Sequence, residues 1–295
     1  MSLKNLKQRI TSVKQTQKIT RAMKMVAASK LKKSQVLCES SRPFFNEIKS
    51  IITKTLSQDY DIEEVPEILK GNHKSKGHLL IVISADRGLC GSFNGSVLRT
   101  TKKKILEINK NNEIPFFIFL GKKANDSIGK NYLKNTIHTD SGFSDCIKSF
   151  TKMEEKLLKV SNIINNSFKD GRFGKISIVD THFKSIISQE CQVKAVTPFE
   201  FKKFELNNSD LYRFDGGQQN FLEKISSDYI FNVLYESILE STASEQGARM
   251  SAMDSATRNA SDMIKSLELS YNRLRQSAIT NELIEIISGA QALEK

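Results

Sequence analysis

The run Gln218–Leu293 closes with ARMSAMDSATRNASDMIKSLELSYNRLRQSAITNELIEIISGAQAL from Ala248 onward, and it holds no proline and glycine only at Gly247 and Gly289. At about 1.5 Å of rise per residue, an unbroken helix of that length would span roughly 100 Å, more than the diameter of a domain of this size. Part of it is therefore expected to protrude. Ala248, Ala252, Ala256 and Ala260 recur every four residues, a stripe of methyl groups that lets a second helix approach closely. From Met253 the apolar positions run Ala256, Ala260, Met263, Leu267, Ser270 with Tyr271, Leu274 and Ala278, a coiled-coil seam of about three heptads. Arg258, Asp262, Lys265, Glu268, Asn272, Arg273 and Arg275 fall between these positions and are expected to face outward. Such a helix needs a partner, either the other end of the chain or another protein.

The other end fits. The N-terminal segment reads as a helix from Leu3 to Leu56, bent near Pro43, where proline removes a helical hydrogen bond. Leu3, Leu6, Ile10 and Val13 form an apolar stripe that lapses at Gln15–Lys18 and resumes at Ile19, Met23, Val26 and Lys30, so the helix is expected either to have different neighbours at its two ends or to twist round one partner. Residues Met1–Cys38 also hold ten lysines and arginines and no acid, most of the chain's net charge of +12. A segment of that kind expects an acidic partner: nucleic acid, anionic lipid or an acidic protein surface. The bland reading of a charge run is a solvated face, and the total absence of acids weighs against it.

Between the two helices the hydrophobic period changes. Leu79–Ile83 and Ile114–Leu120 are continuous apolar runs suited to strands buried on both faces. Helices are expected at Val97–Asn109, Lys122–Leu133 and Asp145–Phe168, and Lys175–Val179 and Cys191–Val196 read as antiparallel strands joined by a short loop. Asp59–Ser75 and Phe199–Gly217 read as linkers. The expected fold is thus α/β, with an N-terminal helix over 1–56, an inserted Rossmann-like domain over 77–199 and a C-terminal helix over 218–295. Hydrophobic residues at 39% and charged residues at 26% exclude wholesale disorder. The longest apolar runs fall far short of the roughly 20 residues a membrane span needs. The N-terminus has no apolar core of a secretory signal, and its basic character continues into a helix too long for a transit peptide.

Little in the chain spells out chemistry. GLCG at Gly88–Gly91, after the first strand, stands where a nucleotide loop would sit, but it is neither G-x-G-x-x-G nor a Walker loop. It reads as a tight turn in which glycine supplies positive φ and Cys90 packs as a small hydrophobe. Cys38, Cys90, Cys146 and Cys191 are scattered with no C-x-x-C pair, which suits a reducing compartment and spells no zinc site. His73, His78, His138 and His182 show no spacing to Cys90 that would make it a nucleophile. Adjacent carboxylates at Glu63 with Glu64 and Glu154 with Glu155 point to different sides of a helix and read as solvated charge. No cofactor or metal is expected. Arg275, Gln276, Thr280 and Glu282 cluster where the seam gives way to Ile279, Leu283, Ile284, Ile286 and Ile287, so this end of the helix is expected to be enclosed by something else.

Three stretches together, QRITSVKQTQKITRAMKMVAASKLKKSQ from Gln8, SADRGLCGSFN from Ser84 and the C-terminal run quoted above, resemble the gamma subunits of the rotary F-type ATP synthases. The likeness covers essentially the whole chain. It implies an antiparallel coiled-coil shaft whose tip lies in a ring of three alpha and three beta subunits, with the α/β domain as a foot resting with the epsilon subunit on the membrane c-ring. It implies a non-catalytic rotor subunit, peripheral on the cytoplasmic side of the inner membrane, that couples proton-driven rotation to ATP synthesis. Contacts with the catalytic subunits are implied at Arg21, Met23, Lys24 and Arg249, and near the tip at Arg275, Gln276, Thr280 and Glu282. Phe199–Gly217 lacks the thiol pair of the chloroplast branch, so no thiol switch is expected. The rival reading, a basic coiled-coil nucleic-acid-binding protein, is disfavoured by basic residues spread round the helix with no aromatic among them.

Overall fold

The protein is seen in a computed structural model that describes residues 2–57, 65–147, 149–200, 214 and 217–293. Its elements form two compact units, Met1–Ala27 with Met250–Lys295, and Ala28–Arg249. Helices α1 (Leu3–Ser57) and α7 (Gln218–Leu293) each contribute to both.

In the first unit α1 and α7 pair antiparallel. Lys14 meets Glu268 at 2.7 Å, Thr20 meets Thr257 at 2.8 Å and Lys24 meets Asp254 at 2.5 Å, positions rising on one helix as they fall on the other. The sheltered face of α1 here is Leu3, Leu6, Ile10, Val13, Gln17, Thr20, Lys24 and Ala27, alternating steps of three and four without interruption. The expected lapse at Gln15–Lys18 is therefore absent. Ile19 and Val26, read as the resumed stripe, are instead 60% and 58% exposed. The seam passes through polar residues because α7 opposes them with small ones. Ala260 is buried and Ala256 half-buried beside Thr257, whose hydroxyl finds the Thr20 hydroxyl.

On α7 the sheltered positions are Met253, Thr257, Ala260, Ile264, Leu267 and Tyr271. The expected seam residue Met263 faces outward at 47% exposure while its neighbour Ile264 is 8% exposed, and Ser270 is outward as well. Two adjacent apolar residues make the period ambiguous in sequence, and packing selects the one four residues beyond Ala260. Arg258, Asp262, Lys265, Asn272, Arg273 and Arg275 are exposed as expected, and Glu268 is half-buried in its pair with Lys14.

The second unit is layered round a five-stranded sheet. Strands β1 (Gly77–Ile83), β2 (Ile114–Leu120), β3 (Thr136–Asp140), β4 (Lys175–Phe183) and β5 (Gln189–Thr197) lie in the order β3-β2-β1-β4-β5. All pairs are parallel except β4 with β5. Helix α3 (Phe93–Lys110) covers one face, packing Val97 and Ile105 on Leu80, Val82, Phe117 and Phe119. On the other face, Leu79, Ile81, Ile118 and Ile178 meet α6 (Phe150–Lys169), the C-terminal half of α1 and the N-terminal half of α7. Burial on both faces is why β1 and β2 read as unbroken apolar runs.

Several element boundaries differ from the sequence reading. Strand β3, polar and at the sheet edge, has no apolar alternation to announce it. The helix expected over Lys122–Leu133 ends early as α4 (Lys122–Ser127), followed by two 3-10 turns, in a stretch rich in Asn, Asp, Ser and Gly. The single helix expected over Asp145–Phe168 is split into α5 (Phe143–Cys146) and α6, with Ser149 extended between them. Pro43 lies inside α1, which continues past it. Of the expected linkers, the described part of the first contains the short α2 (Glu67–Lys70), and much of both falls outside the described residues.

At the N-terminal edge of the sheet, His78 Nδ1 lies 2.9 Å from Glu113 and its Nε2 2.8 Å from Ser177 Oγ, while Glu113 also holds Lys175 at 2.5 Å. Burial lowers the His78 pKa from 6.5, outweighing the opposite pull of Glu113, with Lys104 and Lys175 adding to the lowering. Its folded pKa thus lies below its unfolded value, and the unfolded chain takes up the proton first as pH falls.

Two outcomes follow from this packing. Ile264→Ala should cost about 2 kcal/mol or more in urea unfolding, and Met263→Ala should stay within about 0.5 kcal/mol. The reverse order would restore the register read from sequence. Stability of the wild type should decline as pH drops below 6.5. In His78→Gln, which keeps hydrogen-bonding capacity but does not titrate, that part of the slope should be missing from melts taken between pH 5 and 7.

Candidate functional site

The crevice at the C-terminal edge of a parallel sheet is where an α/β domain would hold a nucleotide. Here it is filled from within. Ile238, Ser241, Thr242 and Glu245 of α7 line it together with Ser84, Asp86 and Phe143, and the space left is about 10 Å³, room for no more than one water. The Asp86 carboxylate accepts hydrogen bonds from the backbone N–H groups of Lys122 at 3.1 Å and Gly142 at 2.7 Å. An acid thus occupies the donors that a phosphate would need.

The GLCG turn points the wrong way for an anion as well. Arg249 donates to the carbonyls of Gly88 at 3.3 Å and Arg87 at 3.5 Å, and it also binds the Glu245 carboxylate. A loop that offers carbonyls to an internal guanidinium has little to give phosphate. Positive φ falls at Gly91 (56°), where the turn expected from sequence has its glycine, and also at Leu89 (63°). Cys90 is buried and burial raises its thiol pKa against the lowering influence of Arg249. It packs with Phe93 and Val97. Cys38 is likewise pushed up to about 12, by burial first and then by Glu240.

Ser177, His78 and Glu113 have the order of a hydrolase triad, but Ser177 is 4% exposed inside the sheet and Glu113 is shared with Lys175. No substrate could approach that hydroxyl. Among the described residues no group of three or more His, Cys, Asp or Glu is placed to hold a metal, and no helix is long and apolar enough to cross a membrane.

What the molecule offers is surface on its long helices. Arg21 is exposed, Met23 half-buried, and Lys24 reaches Asp254, holding that carboxyl below its usual range through their hydrogen bond. Ile19, Ala22, Met23 and Val26, spaced i, i+3, i+4 and i+7, form an apolar stripe directed away from the seam, with Met25 63% exposed on another side. Sequence reasoning assigned Ile19, Met23 and Val26 to the buried face. The signal that they were something else is their offset from the Leu3–Val13 stripe. Arg275, Gln276, Thr280 and Glu282 are all exposed, as is every residue from Asn272 to Gly289. Ile279, Leu283, Ile284, Ile286 and Ile287 there are 51 to 62% exposed. Arg249 differs from the rest of the set, since its side chain is only 11% exposed and bound within its own unit. Glu245, its buried partner, escaped the sequence reading, although Glu at i and Arg at i+4 was there to be seen in EQGAR.

Two long antiparallel helices with an α/β domain inserted between them define a coiled-coil protein of the stalk type. The chain belongs to the ATP synthase gamma-chain family. The family profile described as ATP synthase matches residues 2–293. The ATP synthase gamma chains of Pelagibacter ubique and Rhodospirillum rubrum are 40% and 37% identical to it, each over 99% of both chains. In fold it resembles a chain of the Euglena gracilis mitochondrial ATP synthase OSCP/F1/c-ring assembly, with a TM-score of 0.67 at 18% identity, covering 99% of this chain and 94% of that one. It also resembles a chain of the Tetrahymena thermophila central stalk and c-ring, with a TM-score of 0.56 at 22% identity over 81% and 99%. The nucleic-acid reading finds no counterpart among these relatives.

Burial raises the pKa of Glu245 against the lowering effect of Arg249, so the carboxylate depends on its partner to remain charged. Arg249→Met should therefore destabilise the protein by about 3 kcal/mol, and adding Glu245→Gln should recover most of the loss. Thermal melts of the single and double variants test this; equal melting for both would mean that the pair carries no buried charge.

Proposed function

We propose that this chain is the central shaft of a rotary ATP synthase, carrying rotation between a membrane c-ring and the catalytic subunits. The observation that carries the reading is a helix pair that shelters its own seam yet leaves a second apolar stripe on α1, and the end of α7, uncovered by any of the described residues. Uncovered apolar surface of this kind is what a surrounding ring of subunits would bury. The catalytic partners are three alpha and three beta subunits, and the epsilon subunit and c-ring meet the inserted domain. The chain itself is non-catalytic and sits peripherally on the cytoplasmic side of the inner membrane.

Rotary coupling requires that each catalytic site prefer a different conformation according to the face of the shaft it meets. Moving a two-state site from 1:99 to 99:1 takes roughly 5.5 kcal/mol of differential contact. A single exposed ion pair supplies about 0 to 1 kcal/mol, so contacts must act together. In this reading Arg21, Met23 and Lys24 meet the ring at one level, and Arg275, Gln276, Thr280 and Glu282 meet it near the tip. Arg249 acts by positioning, since it holds the Arg87–Leu89 turn whose exposed side chains would make the contact. The acid-free face of α1 suits carboxylate-rich partner loops.

The decisive experiment is ATP hydrolysis by the cognate alpha and beta subunits assembled with and without this chain. Restoration of steady multisite turnover by a chain that is inactive alone supports the shaft; failure to join the ring or to alter the rate overturns it. Within the assembled complex, Met23→Lys should leave subunit stoichiometry intact and lower the ATP made per ion translocated by up to about fivefold, the effect of one added contact of about 1 kcal/mol. Loss of assembly would instead make Met23 a packing residue.

A further inference from the structure

The outer face of the inserted domain carries a second charged feature that the shaft reading does not use. Helix α3 turns Arg99, Lys102 and Lys103 to solvent. Among the described residues none of the three has a carboxylate partner: Arg99 reaches only the Ser96 hydroxyl, at 3.4 Å. Arg99 and Lys103 form one wall of a shallow groove of about 500 Å³, and Lys184, Gln189 and Cys191 of the β4–β5 hairpin form the other. Lys184 is paired with Glu190, so the uncompensated charge of the groove belongs to α3. Two apolar side chains flank it without cover, Ile187 at the hairpin tip, 90% exposed, and Leu106 one turn along α3, 61% exposed.

We propose that this groove binds an acidic peptide segment of a partner protein, one that sets carboxylates against Arg99 and Lys103 and an apolar residue against Ile187 or Leu106. The concavity favours a single extended chain over a flat bilayer surface, which would need its cations on a convex or planar face. Two spaced cations with apolar residues beside them suit alternating acidic and apolar side chains better than the regular phosphates of a duplex. The site is independent of the rotor contacts on α1 and α7, and its test does not require an assembled synthase.

A fluorescein-labelled peptide of alternating Glu-Leu and Glu-Glu pairs is titrated into the full-length chain and followed by anisotropy. Arg99→Glu/Lys103→Glu should weaken binding by about tenfold or more. The charge-matched control Lys130→Glu/Lys134→Glu, exposed and away from the groove, should change it by less than about twofold. Equal losses in the two variants, or no peptide binding at all, would overturn the proposal in favour of diffuse net charge. So would loss of binding to phosphatidylglycerol vesicles or duplex DNA, but not to peptide, in the groove variant. Circular dichroism melts check folding, and if the double variant is unfolded, Arg99→Gln takes its place with the same two readings.

Discussion

Ser241 and Ser244 of α7 bracket one residue of the sheet: the Ser241 Oγ accepts the Thr181 N–H at 3.1 Å, and the Ser244 hydroxyl donates to the Thr181 carbonyl at 3.0 Å. Round this bracket α7 is buried from Ser237 to Ala248 without a break. A helix enclosed on every side must satisfy its polar groups internally, and this one does so repeatedly. Thr242 turns its hydroxyl back to Ile238, Gln246 reaches Ser144, and Glu245 holds Arg249. Glu240 meets His182 and Arg42, so strand β4 and both long helices share one carboxylate. The same insertion that anchors the helix also closes the crevice a nucleotide would use, so anchorage and the loss of a ligand site have one physical cause.

The two units solve the burial of α7 in opposite ways. In the inserted-domain unit the helix is surrounded, and its side chains carry serines, threonines and paired carboxylates that a one-sided helix would leave to water. In the other unit only every third or fourth residue is sheltered as far as Tyr271, with mostly polar residues between, and from Asn272 to Gly289 every residue is exposed, the isoleucines included. Averaged over 76 residues the helix thus has almost no amphipathic character, though each part is strongly patterned for its own surroundings. Reading the run as one element with one period therefore misleads, whereas reading it by thirds recovers the alanine stripe, the heptads and the apolar end.

That contrast explains what the sequence made legible. Length without proline announced α7, a three-four apolar stripe announced α1 despite Pro43, and the apolar runs at Leu79–Ile83 and Ile114–Leu120 announced a sheet buried on both faces. Three motifs in order announced the family. Strand β3 and the end of α4 stayed hidden because polar edge strands and Asn-rich turns carry no periodic signal. The site was half legible. Arg275, Gln276, Thr280 and Glu282 could be picked as polar residues among isoleucines, but Ile19 and Val26 were taken for core because hydrophobicity alone does not say whether the cover comes from the same chain or another. Asp86 was invisible for a different reason: its carboxylate accepts from the N–H groups of Lys122 and Gly142, which only the fold brings near.

The polar residues inside the seam bear on how such a helix pair keeps its alignment. A seam built only of leucine and isoleucine could slip by a heptad and rebury nearly the same area. In this pair a slip would separate Lys14 from Glu268, Lys24 from Asp254 and the Thr20 hydroxyl from that of Thr257. The two ion pairs are half exposed and contribute little to stability. The threonine pair costs desolvation that its hydrogen bond only offsets. Their effect is on register, because every slipped alignment leaves several of these groups unmatched at once while the aligned state satisfies all of them. Alanines at 256 and 260 tighten the same condition, since the close approach they allow would bring larger side chains into collision one turn away. A helix pair that transmits rotation needs a fixed alignment more than it needs extra stability, and a small, partly polar seam supplies the first while giving up some of the second.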